Sequence, residues 1–163
     1  MVLYSLHVVC TRDDTVCLAY YFSGARGTEA EDSFELALAQ ASQHLWRRAP
    51  QPLSLGEGVH GHIVLVQDVG VDLVFLLAGA DPDAEDARPF EDEDELSLLS
   101  ALTPLVRIVA AACDEEPTRL RGAQLVASHG KVMPCLNEAY PLGVRRCTDV
   151  PAILRAAKLK AFT

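Results

Sequence analysis

Basic residues are scarce in this sequence, where 14 Lys and Arg stand against 23 Asp and Glu and give a formal net charge of -9. That deficit argues against a nucleic-acid surface, or an anionic-membrane surface built from basic patches. Long apolar runs are also missing, since stretches such as residues 73–78 fall far short of the roughly 20 residues that a membrane span needs. Residues 1–10 have no basic flank and no small-residue cleavage site, and so predict no signal peptide.

Cysteine is present but not in a pattern that indicates disulfides or metal ligation. The five cysteines are odd in number, contain no CxxC pair and lie mostly among apolar neighbours. Reduced, buried and inert thiols are the usual outcome of such placement. The sequence therefore predicts a reduced, cytosolic setting.

No group of residues has the spacing of a catalytic or metal site. His60 and His62 alternate on a predicted strand, but no third ligand is near them, and zinc prefers four nitrogen or sulfur ligands. Cys135 and His129 invite a nucleophile interpretation, yet they are six residues apart on a predicted helix and do not share a face. The glycines at 56, 58 and 61 match neither a phosphate loop nor a dinucleotide fingerprint. We therefore expect no catalytic residue, no metal and no cofactor.

Acidity is concentrated in one segment. Residues 81–95 contain nine of the 23 acidic residues and one basic residue, whereas the rest of the chain is nearly neutral. Residues 80–92, with Pro82 and Pro89, are too charged to pack and predict an acidic loop. Two interpretations of this segment remain: a solvated, mobile loop, or an electrostatic contact with a basic partner. Such a contact would weaken as the salt concentration rises.

Alternating apolar residues predict strands that are joined as hairpins. A polar turn at residues 11–14 links the first two, and a very short link at 68–70 joins the last two. The final strand is apolar on nearly both faces, which is typical of a central strand covered on both sides. The predicted strands span residues 3–10, 16–22, 53–55, 61–67 and 69–78.

Helical periodicity predicts one helix between the hairpins and several after the last strand. The first begins at Thr28, which heads a capping-box pattern, and Pro50 and Pro52 end it. The second spans Glu93 to Cys113 and contains Pro104, which should kink or split it. A third is capped by Thr118 and runs to about Tyr140 with interruptions at Gly130 and Pro134, and a last one covers residues 152–160 after a start at 148–151.

These elements predict one α/β (α+β) domain over residues 1–163. We expect a five-stranded antiparallel sheet with one helix on one face and two or more helices on the other. The Lys-rich residues 158–163 are predicted to form a mobile tail.

Several strings resemble the small subunits of vesicle coats, namely the zeta subunit of coatomer and, more distantly, the sigma subunits of clathrin adaptors. Both have longin-type folds. The likeness covers nearly the whole chain. The chain resembles zeta more than sigma, because the link at residues 67–72 lacks the basic-aromatic run that sigma subunits usually carry. The strings are LYSLHVVCTRDDTVCLAYYFSG (3–24), SFELALAQA (33–41), HIVLVQDVGVDLVFLLAG (62–79), EDELSLLSALTPLV (93–106) and CLNEAYPLGVRRCTDVPAI (135–153).

The chain departs from this family in three respects. Its acidic loop at 81–92 is longer than usual, and a single Gly143 replaces the usual double glycine. Prolines also fall inside the expected late helices, at positions 104, 134 and 141.

The resemblance implies a non-catalytic subunit of the COPI coat, which works in Golgi-to-endoplasmic-reticulum and intra-Golgi transport on the cytosolic face of Golgi membranes. Such a subunit packs against a large, gamma-like coat subunit, and an Arf-type GTPase recruits the assembled coat to the membrane. We expect the first helix, through Phe34, Leu38, Leu45 and Trp46, or an exposed strand edge, to contribute to the partner interface. A sigma-type adaptor subunit and a longin-type tethering or GTPase-regulating scaffold remain alternatives, and a small enzyme that uses Cys135 or the histidines is a third class.

Overall fold

The computed structural model describes residues 2–22, 35–36, 51–54, 63–80 and 92–161. The strands form an antiparallel sheet in the order β2-β1-β5-β4-β3. β1 and β2 form a hairpin, and β3, β4 and β5 follow one another as a meander that adds β5 beside β1. The strands are β1 (Val2–Cys10), β2 (Thr15–Tyr21), β3 (Gln51–Ser54), β4 (Ile63–Val69) and β5 (Leu73–Ala80).

The last strand begins later than the sequence predicted. Residues 70–72 form the turn between β4 and β5, so Val71 is exposed in the turn and not part of the strand. Gly70 has φ +65°, and a Cβ there would lie 2.2 Å from the carbonyl oxygen of Leu120. Only glycine fits this left-handed and crowded position, which fixes the turn and delays the strand.

Alternation along the strands separates two buried faces. Leu73, Phe75 and Leu77 of β5 belong to the larger core, which the helices after β5 complete. Val74, Leu76 and Ala78 point to the opposite face and pack with residues of β1, β2 and β4. The prediction of a strand buried on both faces is confirmed for β5.

Helical structure follows β5 along the rest of the described chain. Short 3-10 turns precede α2 and follow α3, and the chain between 143 and 150 is irregular. The helical elements are α1 (Asp92–Ala112), a 3-10 turn (Pro117–Arg119), α2 (Gly122–Ala127), α3 (His129–Ala139), a second 3-10 turn (Pro141–Gly143) and α4 (Val150–Ala161).

Pro104 does not split α1. The helix is continuous from Asp92 to Ala112 with this proline inside it. A proline costs about 3 kcal/mol relative to alanine in a helix interior, whereas each fully buried Leu or Ile contributes about 1.5–3 kcal/mol. Burial therefore outweighs the proline, because α1 inserts five side chains into the core with no exposed area: Leu98, Leu102, Leu105, Ile108 and Val109.

The predicted helix from Thr118 to Tyr140 is wrong in its details. Pro117 opens a short 3-10 turn there, so Thr118 does not cap an α-helix. The break between α2 and α3 lies at Ser128, and Pro134 lies inside α3. Ser128 serves both helices, since its amide donates to Gln124 O while its carbonyl accepts from the Val132 amide.

The α/β class and the antiparallel sheet agree with the sequence prediction. Most of the predicted first helix and the acidic loop lie outside the described residues. The placement of one helix on the second face and the mobile tail therefore remain predictions, although α4 continues to Ala161.

Candidate interaction surface

The predicted partner interface falls outside the part of the chain that the structure describes. Phe34, Leu38, Leu45 and Trp46 are all in undescribed ranges. Glu35 and Leu36 of this region are described; both are helical, and the Leu36 side chain is 62% exposed.

A polar cluster on the second face of the sheet connects Glu35 to β1 and β2. Tyr21 donates a 2.9 Å hydrogen bond from Oη to Glu35 Oε1. The buried His7 ring places Nε2 at 3.4 Å from Tyr21 Oη and 3.5 Å from Glu35 Oε1. The Tyr21 ring also packs edge-on against Tyr4, with centroids 5.5 Å apart. These contacts hold the helical residues 35–36 beside the sheet.

The cluster favours a neutral His7. Burial lowers the pKa of His7 below its ordinary value, and the nearby Glu35 carboxylate only partly opposes this effect. His7 is almost completely buried, whereas the Glu35 side chain is 45% exposed and keeps its charge solvated. Transfer of the imidazolium from water into the protein interior therefore costs more free energy than the interaction with Glu35 contributes.

The residues considered as nucleophiles are not brought together. Cys135 is buried in α3, and burial raises the pKa of its thiol, which opposes formation of the reactive thiolate. His129 is exposed at the start of the same helix, and no hydrogen bond joins the two side chains among those of the described residues. Burial likewise raises the pKa of Cys17 and Cys113. His44, His60 and His62 lie outside the described ranges.

Within the described ranges, no group of three His, Cys, Asp or Glu side chains is placed to hold a metal ion. None of the described helices combines the length and apolar character required to cross a membrane.

Large apolar side chains are exposed at both ends of the sheet. Val16 and Val71 lie at the hairpin end, where the Thr11 amide donates to Asp72 O and joins the two turns. Leu142 and Val144 lie at the opposite end, where Gly143 packs against Leu3 at the start of β1. The remaining ones are Leu36, Leu96, Val126 and Leu159.

The loop around Leu142 is closed by hydrogen bonds and contains a left-handed residue. Leu142 has φ +53°, a left-handed conformation that costs a residue with a Cβ about 1–2 kcal/mol. Two hydrogen bonds close the loop around it, from the Gly143 amide to Tyr140 O and from the Arg146 amide to Ala139 O. The Leu142 side chain in this loop is 72% exposed.

The sequence predicts the end of a helix at about Tyr140 and does not single out the exposed residues that follow it. No periodic signal marks Leu142, Val144 or Arg145, because the segment is a short 3-10 turn followed by irregular chain. The only available signal was the Pro-x-Gly pattern, which indicates a turn but not what the turn displays.

Comparison with known proteins adds no family to these observations. No protein-family model matches the chain, and no curated protein matches it.

Proposed function

We propose that the chain is a non-catalytic, zeta-like small subunit of the COPI coat that binds a large, gamma-like coat subunit. The observation that carries the proposal is the antiparallel sheet, with a hairpin and a meander joined through β1 and β5 and with later helices packed against one face. This arrangement is compatible with the longin-type fold that the sequence resemblance implies.

The surface around Glu35 and Leu36 supports a binding role. Glu35 holds this helical segment against the sheet, while Leu36 extends into solvent between Phe34 and Leu38 in the sequence. Interfaces between permanent subunits are more apolar than ordinary surface and are dominated by a few large anchors, Trp prominent among them. Trp46 is therefore the anchor we expect on this helix.

Coexpression with the trunk of the gamma-like subunit from the same organism tests the proposal. The wild-type chain should copurify with the trunk. Trp46→Ala should weaken the complex by about 30-fold or more, because a central interface Trp contributes roughly 2 kcal/mol or more. Leu159→Ala is the control, since Leu159 is 72% exposed on α4 and outside the proposed interface.

The outcomes distinguish a wrong function from a wrong assignment of the interface residues. A wild-type chain that does not bind the trunk contradicts the proposed function. A chain that binds equally well with and without Trp46, in variants with the wild-type thermal unfolding profile, leaves the coat subunit in place and moves the interface elsewhere. Copurification of tethering-complex components would instead support the alternative scaffold.

A further inference from the structure

A crevice opens between the start of β1, α1 and the loop that follows α3. Its volume is about 230 Å³, and we call it the Arg145 crevice. The residues that line it are Leu3, Ser97, Ser100, Ala101, Tyr140, Gly143 and Arg145.

Pro104 supplies an acceptor that orients Arg145. Proline has no amide hydrogen, so the carbonyl of Ser100, four residues earlier, lacks its helical donor. Arg145 Nη2 donates to this oxygen at 3.3 Å, and Arg145 Nε donates to Tyr140 Oη at 3.4 Å. Both bonds are longer than the usual 2.7–3.2 Å. They orient the guanidinium while leaving it free to make a stronger bond with an anion.

The charge of Arg145 is not neutralised within the described residues. The adjacent Arg146 places Nη1 3.7 Å from the carboxylate of Glu138. Arg145, by contrast, has only neutral acceptors in the part of the chain that the structure describes, namely one carbonyl and one phenol oxygen. A guanidinium at the wall of a crevice without a carboxylate is suited to an anion from outside the chain.

Hydroxyl groups add further donors around the same space. The Tyr140 hydroxyl accepts from Arg145, so its own proton is available to a ligand. Tyr140 is 3% exposed, and its ring packs edge-on against Phe22, which fixes its position. Ser97 and Ser100 lie one turn apart on α1 and line the crevice, and neither side chain makes a hydrogen bond to any of the described residues. The crevice is thus rich in donors and poor in acceptors.

We propose that the Arg145 crevice binds a phosphate group. A phosphate monoester presents three acceptor oxygens and nearly two negative charges, which match one guanidinium fork and three hydroxyl donors. A carboxylate has only two oxygens and would leave donors unused. The net charge of -9 repels anions at long range, so binding depends on short-range bonds to Arg145 and the hydroxyls.

The test uses inorganic phosphate and the full chain. Phosphate should cause saturable NMR shifts at the amides of Ser97, Ser100 and Arg145, with a Kd in the millimolar range, when chloride at equal ionic strength does not. Arg145→Gln should abolish these shifts, and Arg145→Lys should weaken them, because Lys keeps the charge but loses the planar fork. Arg146→Gln is the matched control and should bind as the wild type does.

Absence of saturable shifts at these amides, or equal loss in the Arg145→Gln and Arg146→Gln variants, would overturn the proposal. The source of the phosphate is then identified with soluble inositol trisphosphate and with vesicles that contain phosphorylated phosphatidylinositol. The proposal is supported if one of these probes binds more tightly than inorganic phosphate and loses this binding in Arg145→Gln. The probe that does so identifies the source of the phosphate. Retention of tight vesicle binding in Arg145→Gln contradicts it.

Discussion

Asp72 links three parts of the fold through a single side chain. Its Oδ1 accepts from the Gly122 amide at 3.1 Å, and its Oδ2 lies 3.7 Å from both the Cys10 thiol and Arg12 Nε. Gly122 begins α2, so Asp72 satisfies an amide that has no partner inside the helix. The ion pair with Arg12 contributes little, because the Arg12 side chain is 71% exposed. The bond to Gly122 is the important contact.

Asp72→Ala should therefore lower the free energy of unfolding by about 1–3 kcal/mol, since it leaves the buried Gly122 amide without an acceptor. Urea denaturation measures this change. Asp68→Ala is the control, because Asp68 is exposed on β4, and it should change stability by less than about 0.5 kcal/mol. Equal effects of the two substitutions would show that the bond to Gly122 does not stabilise the fold.

His7 gives stability a dependence on pH near neutrality. Its pKa is lowered in the folded state, so the unfolded chain binds a proton first as the pH falls below about 6.5. The contribution of His7 to the free energy of unfolding is complete above that pH. It is lost as the pH falls toward the pKa of His7 in the folded protein. The wild type should lose up to about 1.4 kcal/mol per pH unit from this group.

Urea denaturation between pH 7.5 and 5.5 measures the effect, and His7→Gln should flatten the curve. His129→Gln should keep the wild-type slope, because His129 is exposed. An unchanged slope in His7→Gln would contradict the assignment of the pH dependence to His7.

At the scale of secondary structure, the proline in α1 has two consequences that a single variant separates. Pro104→Ala should stabilise the protein by up to about 3 kcal/mol, because alanine is the better helix residue. The new amide competes with Arg145 for the carbonyl of Ser100, so phosphate binding should weaken. Pro134→Ala in α3 is the matched control, since Pro134 does not line the Arg145 crevice.

Thermal unfolding and phosphate titration measure the two effects on the same samples. The expected pattern is higher stability in both variants and weaker phosphate binding only in Pro104→Ala. Unchanged phosphate binding in Pro104→Ala would show that the Ser100 carbonyl does not position Arg145.

Strands and helices were predictable where periodicity is strong. The alternation in residues 3–10 and the apolar stripe of α1 identified β1 and α1 to within one residue at each end. Errors occurred where single residues act against the pattern: Gly70 moved the start of β5, and Pro104 was given more weight than the buried leucines of α1.

The Arg145 crevice was beyond prediction from sequence. Arg145 meets the Ser100 carbonyl across 45 residues, and the contact exists only because α1 and the loop after α3 are packed together. Local patterns contain no information on such a pairing. The acidic residues of segment 81–95, which leads into α1, instead indicated a contact with a basic partner in this region.

At the scale of the whole molecule, we propose that the chain acts by binding another protein. The described surface carries exposed apolar residues such as Leu142, whose backbone is left-handed, and Leu36.

Affinity purification of the tagged chain from its native cell, followed by mass spectrometry, tests this claim most directly. We predict stoichiometric recovery of a gamma-like large coat subunit together with the rest of coatomer. Recovery of the chain alone, as a monomer that stays folded on dilution, would contradict it, whereas recovery with tethering components in place of coat subunits would contradict the coat assignment.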